Sequence, residues 1–219
     1  MIFDLKDFYK TIRAPSEGIY KEKGSKFIAF AKAVFTESEF QEFQTEVKQL
    51  HNKARHHCYG FRIGIDGQNY RANDDGEPSG TAGKPILGQI DSNELTNIAI
   101  IVIRYFGGTK LGTGGLIVAY RSAAKAALEN SVIIKKEILT EFKIAFDYKW
   151  MNGLLGAVKK IDAIILLKEF NAKPFLHIGI PRSKASATIH RLKALILKKS
   201  LEEVSFETGI EGFEIEKLN

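Results

Sequence analysis

The sequence predicts an α+β protein of two domains, residues 1–136 and 137–219, and three observations carry that reading. Beyond residue 140 the strand and helix signals follow the order β-α-β-β-α-β. Before it, a continuous apolar run passes through a glycine-rich junction into an amphipathic segment, the pattern of a strand covered on both faces followed by a surface helix. Finally, 219 residues with 44% hydrophobic and 26% charged content suffice for two cores and are too balanced for a disordered chain, a collagen or a disulfide scaffold.

The elements follow in order. KFIAFAKAVF, residues 26–35, is apolar enough for a strand, and Thr36 with Glu39 spells a capping box ahead of the helical FQEFQTEVKQL. HHCYGFRIGID alternates: His57, Tyr59, Phe61, Ile63 and Ile65 share one face, and His56, Cys58, Gly60, Arg62 and Gly64 the other. That second face is small enough for a helix or a ligand to approach closely. NYRANDDGEPSGTAGKP reads as loop, ILGQIDSNE as a short helix and NIAIIVIRYF as a buried strand. After GGTKLGTGG, a helix should bury Leu116, Ala119, Tyr120, Ala123 and Ala127 and expose Arg121, Lys125 and Glu129. KKEILT, residues 135–140, joins the domains. The remainder gives strand TEFKIAFDY, helix KWMNGLLGAVKKI, strands AIILLKEF and KPFLHIGIP, helix SKASATIHRLKALILKK and closing strand VSFETG, a split ferredoxin-like pattern.

Composition narrows the setting. The longest apolar run, residues 98–103, is strand-sized, against the roughly 20 residues of a membrane span, so no membrane association is expected. Cys58 is the single cysteine and cannot close an internal disulfide, and charges interrupt the first residues, so a cytoplasmic protein is expected. A net charge of +6 with a pI near 9.2 permits a polyanionic partner.

Three clusters carry candidate chemistry. In the loop Gly107, Gly108, Thr109, Lys110, Leu111, Gly112, Thr113, Gly114 and Gly115, glycines can turn main-chain amides toward an anion. The following helix N-terminus and Lys110 add positive charge. If the Gly114 backbone needs positive φ or a close approach, Gly114→Val is expected to abolish anion binding. A structural tight turn is the other reading. The loop is not a Walker A sequence, and Ile117 stands where G-x-G-x-x-G needs its third glycine, which argues against nucleotide hydrolysis.

In the second cluster Asp74, Asp75 and Glu77, near Arg71, can act as oxygen ligands or a general base, or else cap a turn. In the third, only His56 and Cys58 can share a site, because His57 points to the apolar face, and no zinc motif completes the set. Lys26, Arg104 and Arg121 add positive charge around these clusters. Together with Lys110, Gly112, Thr113, Gly114 and Gly115 they outline an anion-binding groove, with no metal and no cofactor expected.

The segments KGSKFIAFAKAV, HHCYGFRIG, NDDGEPSGTAGKPIL and VIRYFGGTKLGTGGLIVAYRSAAKAAL resemble, in that order, the YigZ and IMPACT family over about residues 15–130. The C-terminal half resembles the extra domain of bacterial members. The resemblance implies an N-terminal domain with the α/β topology of the second domain of a small-subunit ribosomal protein and of elongation factor G domain IV. It also implies a C-terminal ferredoxin-like domain similar to domain V of that factor. Eukaryotic relatives regulate translation by competing for an activator of a stress kinase. Their partner-binding domain is not expected here, so kinase regulation is not carried over.

The expected function is that of a translation-associated or regulatory, non-enzymatic protein binding RNA, the ribosome or a phosphate-bearing ligand. Two alternatives stand beside it. One is an enzyme acting on a small phosphorylated or peptide substrate, with Asp74, Asp75 or Glu77 as acid or base. The other is a protein-interaction module that meets an acidic partner through the last helix and its Lys184, Arg191, Lys193, Lys198 and Lys199.

Overall fold

The computed structural model describes residues 7–205 and 207–218. Two compact units emerge: Tyr9–Lys136, and Glu137–Asn219 together with the stretch ending at Phe8. Up to the boundary the elements are β1 (Phe8–Ile12), β2 (Ser16–Glu22), β3 (Ser25–Ala33), α1 (Glu37–Leu50), β4 (His56–Ile63), β5 (Asn69–Asn73), α2 (Gly83–Ser92), β6 (Ile98–Tyr105), α3 (Gly112–Glu129) and β7 (Ile133–Glu137). A five-stranded sheet in the order β2-β3-β6-β4-β5 is antiparallel throughout, and β1 pairs with β7 in a separate ribbon.

Hairpin β2–β3 turns through Lys23 and Gly24, whose φ values of 46° and 77° match the two positive angles of a type I′ turn. In β6, Ile98, Ile100 and Val102 enter one core with α2 and α3, while Ala99, Ile101 and Ile103 enter another with α1. The continuous apolar run is therefore the central strand of a three-layer unit. Thr36 caps α1, its hydroxyl accepting from the Glu39 amide at 3.1 Å, and the Glu39 carboxylate reaches back to the Phe35 amide at 2.8 Å. The α3 stripe is buried as expected, Tyr120 included. The small face of β4 admits a helix: a Cβ on Gly60 would lie 2.8 Å from the backbone nitrogen of Leu87 in α2.

Several segments differ from expectation: β1, β2 and β7 are not among the expected strands, and β7 and a strand at Leu139–Phe146 occupy the 135–140 segment read as the domain joint. Residues 69–73, read as loop, form edge strand β5, whose register with β4 runs from Tyr59↔Asn73 to Ile63↔Asn69. An edge strand pairs along one side only and tolerates the polar Asn, Tyr and Arg that obscured it. A further difference lies past the boundary.

There the order is β8 (Leu139–Phe146), α4 (Met151–Val158), β9 (Ile164–Glu169), β10 (Phe175–Pro181), α5 (Ala185–Leu197) and β11 (Phe213–Lys217), with an antiparallel sheet ordered β11-β8-β10-β9. Phe142, Ile144 and Phe146 of β8 meet Leu176, Ile178 and Ile180 of β10 in one core with α4 and α5. The closing strand is residues 213–217; of the expected VSFETG at 204–209, Phe206 lies outside the described residues and the others are not strand. The Val204 and Thr208 carbonyls are engaged by His190 and Lys193 of α5 at 2.6 and 3.1 Å, which ties that segment to the helix instead. Among the described residues no helix is long and apolar enough to cross a membrane.

The closest helix–sheet approach gives a test. A Cβ on Gly18 of β2 would lie 2.1 Å from the Ala127 nitrogen of α3, so Gly18→Ala should cost about 1–3 kcal/mol in urea unfolding. Gly88→Ala, on α2 with nothing within 4 Å, should be neutral or stabilising by up to about 1 kcal/mol.

Candidate functional site

The acidic loop between β5 and α2 is held by its own carboxylates. Asp74 Oδ1 accepts from the Ala82 and Gly83 amides, each at 2.9 Å, and Oδ2 from the Gly80 amide at 2.8 Å. This starts α2 at Gly83, ahead of the expected ILGQIDSNE. Burial pulls the Asp74 carboxyl upward, but the Gly80, Gly83 and Ala82 amides and Lys84 outweigh it and hold it below its ordinary range. Asp75, at φ 41°, accepts from the His57 amide at 2.7 Å, and its carbonyl lies 2.8 Å from His56 Nδ1. Both carboxylates cap the turn.

Glu77 goes inward. Its Oε1 accepts from Arg104 at 2.7 Å and from the Tyr120 hydroxyl at 2.8 Å, and the Glu77 and Arg104 side chains are only 4% and 9% exposed. Carboxylate, guanidinium and phenol thus join the acidic loop, β6 and α3. The Arg104 guanidinium lies 5.5 and 5.4 Å from the ring centres of Phe27 and Phe106, and its buried Nε has no hydrogen-bond partner among the described residues. Cys58 donates to the Asp74 carbonyl at 2.9 Å, and burial pushes its thiol up to about 12. That environment suits an inert structural thiol rather than a nucleophile.

Beside this network opens a cleft of about 750 Å³. Of the residues singled out from the sequence, His56, Glu77, Arg104, Lys110, Gly112 and Thr113 line it. Asp74 and Asp75 are not among its lining residues. Lys26, opposite Tyr105, and Arg71, opposite Phe61, share the α1 side of the sheet with those partners, and neither is among the residues lining the cleft. Arg121 lines a separate cleft of about 380 Å³ with Gly80 and Lys84.

Gly114 and Gly115 sit in the first turn of α3. Gly114 has open space around its Cβ position and no positive φ. Positive φ in this loop belongs to Gly108 and Gly112, at 89° and 70°, so the condition is not met at Gly114. Sequence reasoning missed Lys53, Arg55 and Phe106, which also line the cleft. The register His56↔Arg104 brings the start of β4 beside the end of β6, and that pairing carries Lys53 and Arg55 to the cleft rim. No local pattern announces it.

The chain has relatives. Residues 23–128 match the Impact N-terminal domain. The IMPACT family member YvyE of Bacillus subtilis (strain 168) is 36% identical over 163 residues, 74% of each chain, and YigZ of Escherichia coli (strain K12) is 33% identical over 175 residues, 79% of this chain and 86% of its own. The chain belongs to the IMPACT family. The IMPACT match contains every residue lining the main cleft. A solved crystal structure of a hypothetical protein covers 98% of this IMPACT chain and 99% of its own at 28% identity, with a TM-score of 0.67.

Two outcomes follow from the buried network. Glu77→Gln should strand the Arg104 charge and lower stability by about 3 kcal/mol, while Glu77→Leu combined with Arg104→Leu should recover part of the loss; urea midpoints read both. The alkaline limb has a definite sign. The unfolded thiol of Cys58 loses its proton near 9.0 and the folded one only near 12, so the unfolded state sheds protons first and stability falls across that window. Cys58→Ala should flatten that part of the pH profile.

Proposed function

We propose that this IMPACT protein is a translation-associated, non-enzymatic binder of RNA, with the phosphate backbone seated in the main cleft. One observation carries the reading: the cleft wall holds the Arg104 guanidinium, and cations crowd the same cleft. Around it stand the exposed cations Lys53, Arg55 and Lys110, and the first turn of α3, whose N-cap Leu111 offers no side-chain bond to the leading amides. A helix N-terminus without a cap beside clustered cations is an anion-binding arrangement. Glu77 contributes little net charge there, since Arg104 pairs with it. The link to translation comes from family resemblance.

The same reading takes Tyr9–Lys136 as related to the second domain of a small-subunit ribosomal protein and to elongation factor G domain IV. It takes the second unit as ferredoxin-like and similar to domain V of that factor. The strand order β11-β8-β10-β9 on a β-α-β-β-α-β chain supports the ferredoxin-like part.

Fluorescence anisotropy of a labelled RNA with the full chain tests it. Affinity should fall steeply as salt rises, and Lys53→Ala with Lys110→Ala should reduce the log–log salt slope by about 2, roughly one per phosphate contact. An RNA affinity undetectable at low salt, or a slope untouched by the double variant, would reject the cleft as the phosphate site.

A further inference from the structure

We infer that the cleft takes single-stranded RNA, with one unpaired base stacked on Phe106 while the adjoining phosphate lies at Lys110 and the first turn of α3. This rests on the phosphate reading above and adds what that reading leaves open, the form of the nucleic acid.

Phe106 directly follows β6 and is 59% exposed. One flank of its ring is taken by the Arg104 guanidinium at 5.4 Å, and no core cluster includes it. It is nevertheless held firmly. On one side the Tyr105 hydroxyl lies 3.0 Å from His51 Nδ1; on the other the Gly107 amide donates to Ser25 Oγ at 3.1 Å. Pro78 and Leu116 extend the apolar surface on the same cleft wall.

The cleft therefore has two characters: an aromatic and aliphatic part, and a cationic part ending in the α3 amides. A bare phosphate would use only the second. A base joined to a phosphate uses both, because every base offers a π-face and Arg beside an aromatic ring strengthens the stack. In a duplex the bases are already stacked and paired, and the groove edges present phosphate and sugar instead. A cavity of about 750 Å³ accommodates a nucleotide unit, and Lys53, Arg55 and Lys110 along its lining suit the neighbouring phosphates of a strand.

The experiment uses the full chain with three probes: a short single-stranded oligoribonucleotide carrying one 2-aminopurine, an RNA duplex of the same length, and inorganic polyphosphate. Expected results are 2-aminopurine quenching on binding, and about a tenfold loss of single-strand affinity in Phe106→Ala that Phe106→Tyr restores. Polyphosphate affinity should be unchanged in both variants. Duplex bound as tightly as the single strand, no quenching in the unmodified protein, or equal single-strand affinity with Phe106→Ala would each overturn the stacking inference and leave the phosphate site standing. If neither polyphosphate nor either RNA binds the unmodified protein, the phosphate reading itself fails and this inference with it.

Discussion

The Glu77 carboxylate sits almost entirely out of water, and that is tolerable only because Arg104 and Tyr120 both donate to it. Three parts of the chain distant in sequence must therefore arrive together: the loop after β5, the end of β6 and the buried face of α3. Once Glu77 is anchored, the loop path is narrow, and Asp74 falls where its carboxylate can receive the leading amides of α2. The acidic cluster acts as a brace. Its charge is consumed internally, which leaves the electrostatics of the neighbouring cleft to Lys53, Arg55 and Lys110.

The position of that cleft follows from the sheet. Because β6 is the central strand, covered on both faces, its residues cannot rearrange without disturbing two cores. Arg104 is the last residue on the α2–α3 side before the strand ends, so a cation emerges where the core gives way to solvent. The chain then turns back through glycines into α3. The same turn that closes the strand–helix connection presents the helix amides to the opening, so a purely structural turn and an anion cradle make nearly the same demands on this segment.

Much of this was legible in the sequence. Period-two and period-3.6 patterns located β3, β4, β6 and α3 because each buries a face against a core. The antiparallel β8, β9 and β10 with their helices read equally well. β5 was hidden because an exposed edge strand has no apolar period to display, and the closing strand because two short segments alternate alike and only contacts with α5 separate them. Glycine chemistry was recognised in the right loop, yet the positive angles fall at Gly108 and Gly112 rather than Gly114: composition marks a flexible turn without saying which residue bends. Tyr120 was placed in the core, and its hydroxyl partner could not be foreseen because Glu77 lies 43 positions away. Lys53 and Arg55 depend in the same way on strand register, a property of the fold as a whole.

Gly24, in the β2–β3 turn, and Gly107, at the mouth of the glycine loop, lie back to back. A Cβ on Gly107 would fall 1.9 Å from the Gly24 carbonyl carbon and one on Gly24 2.8 Å from the Gly107 oxygen. Neither site has room for any other amino acid while the second backbone stays where it is. Over evolutionary time the pair should drift only in concert, and loop-length changes should be accepted downstream of Gly107, around Gly108 where nothing crowds the backbone, but not at the contact itself. A hairpin tip far away in sequence thus limits how the lineage can remodel the entrance to its own binding cleft.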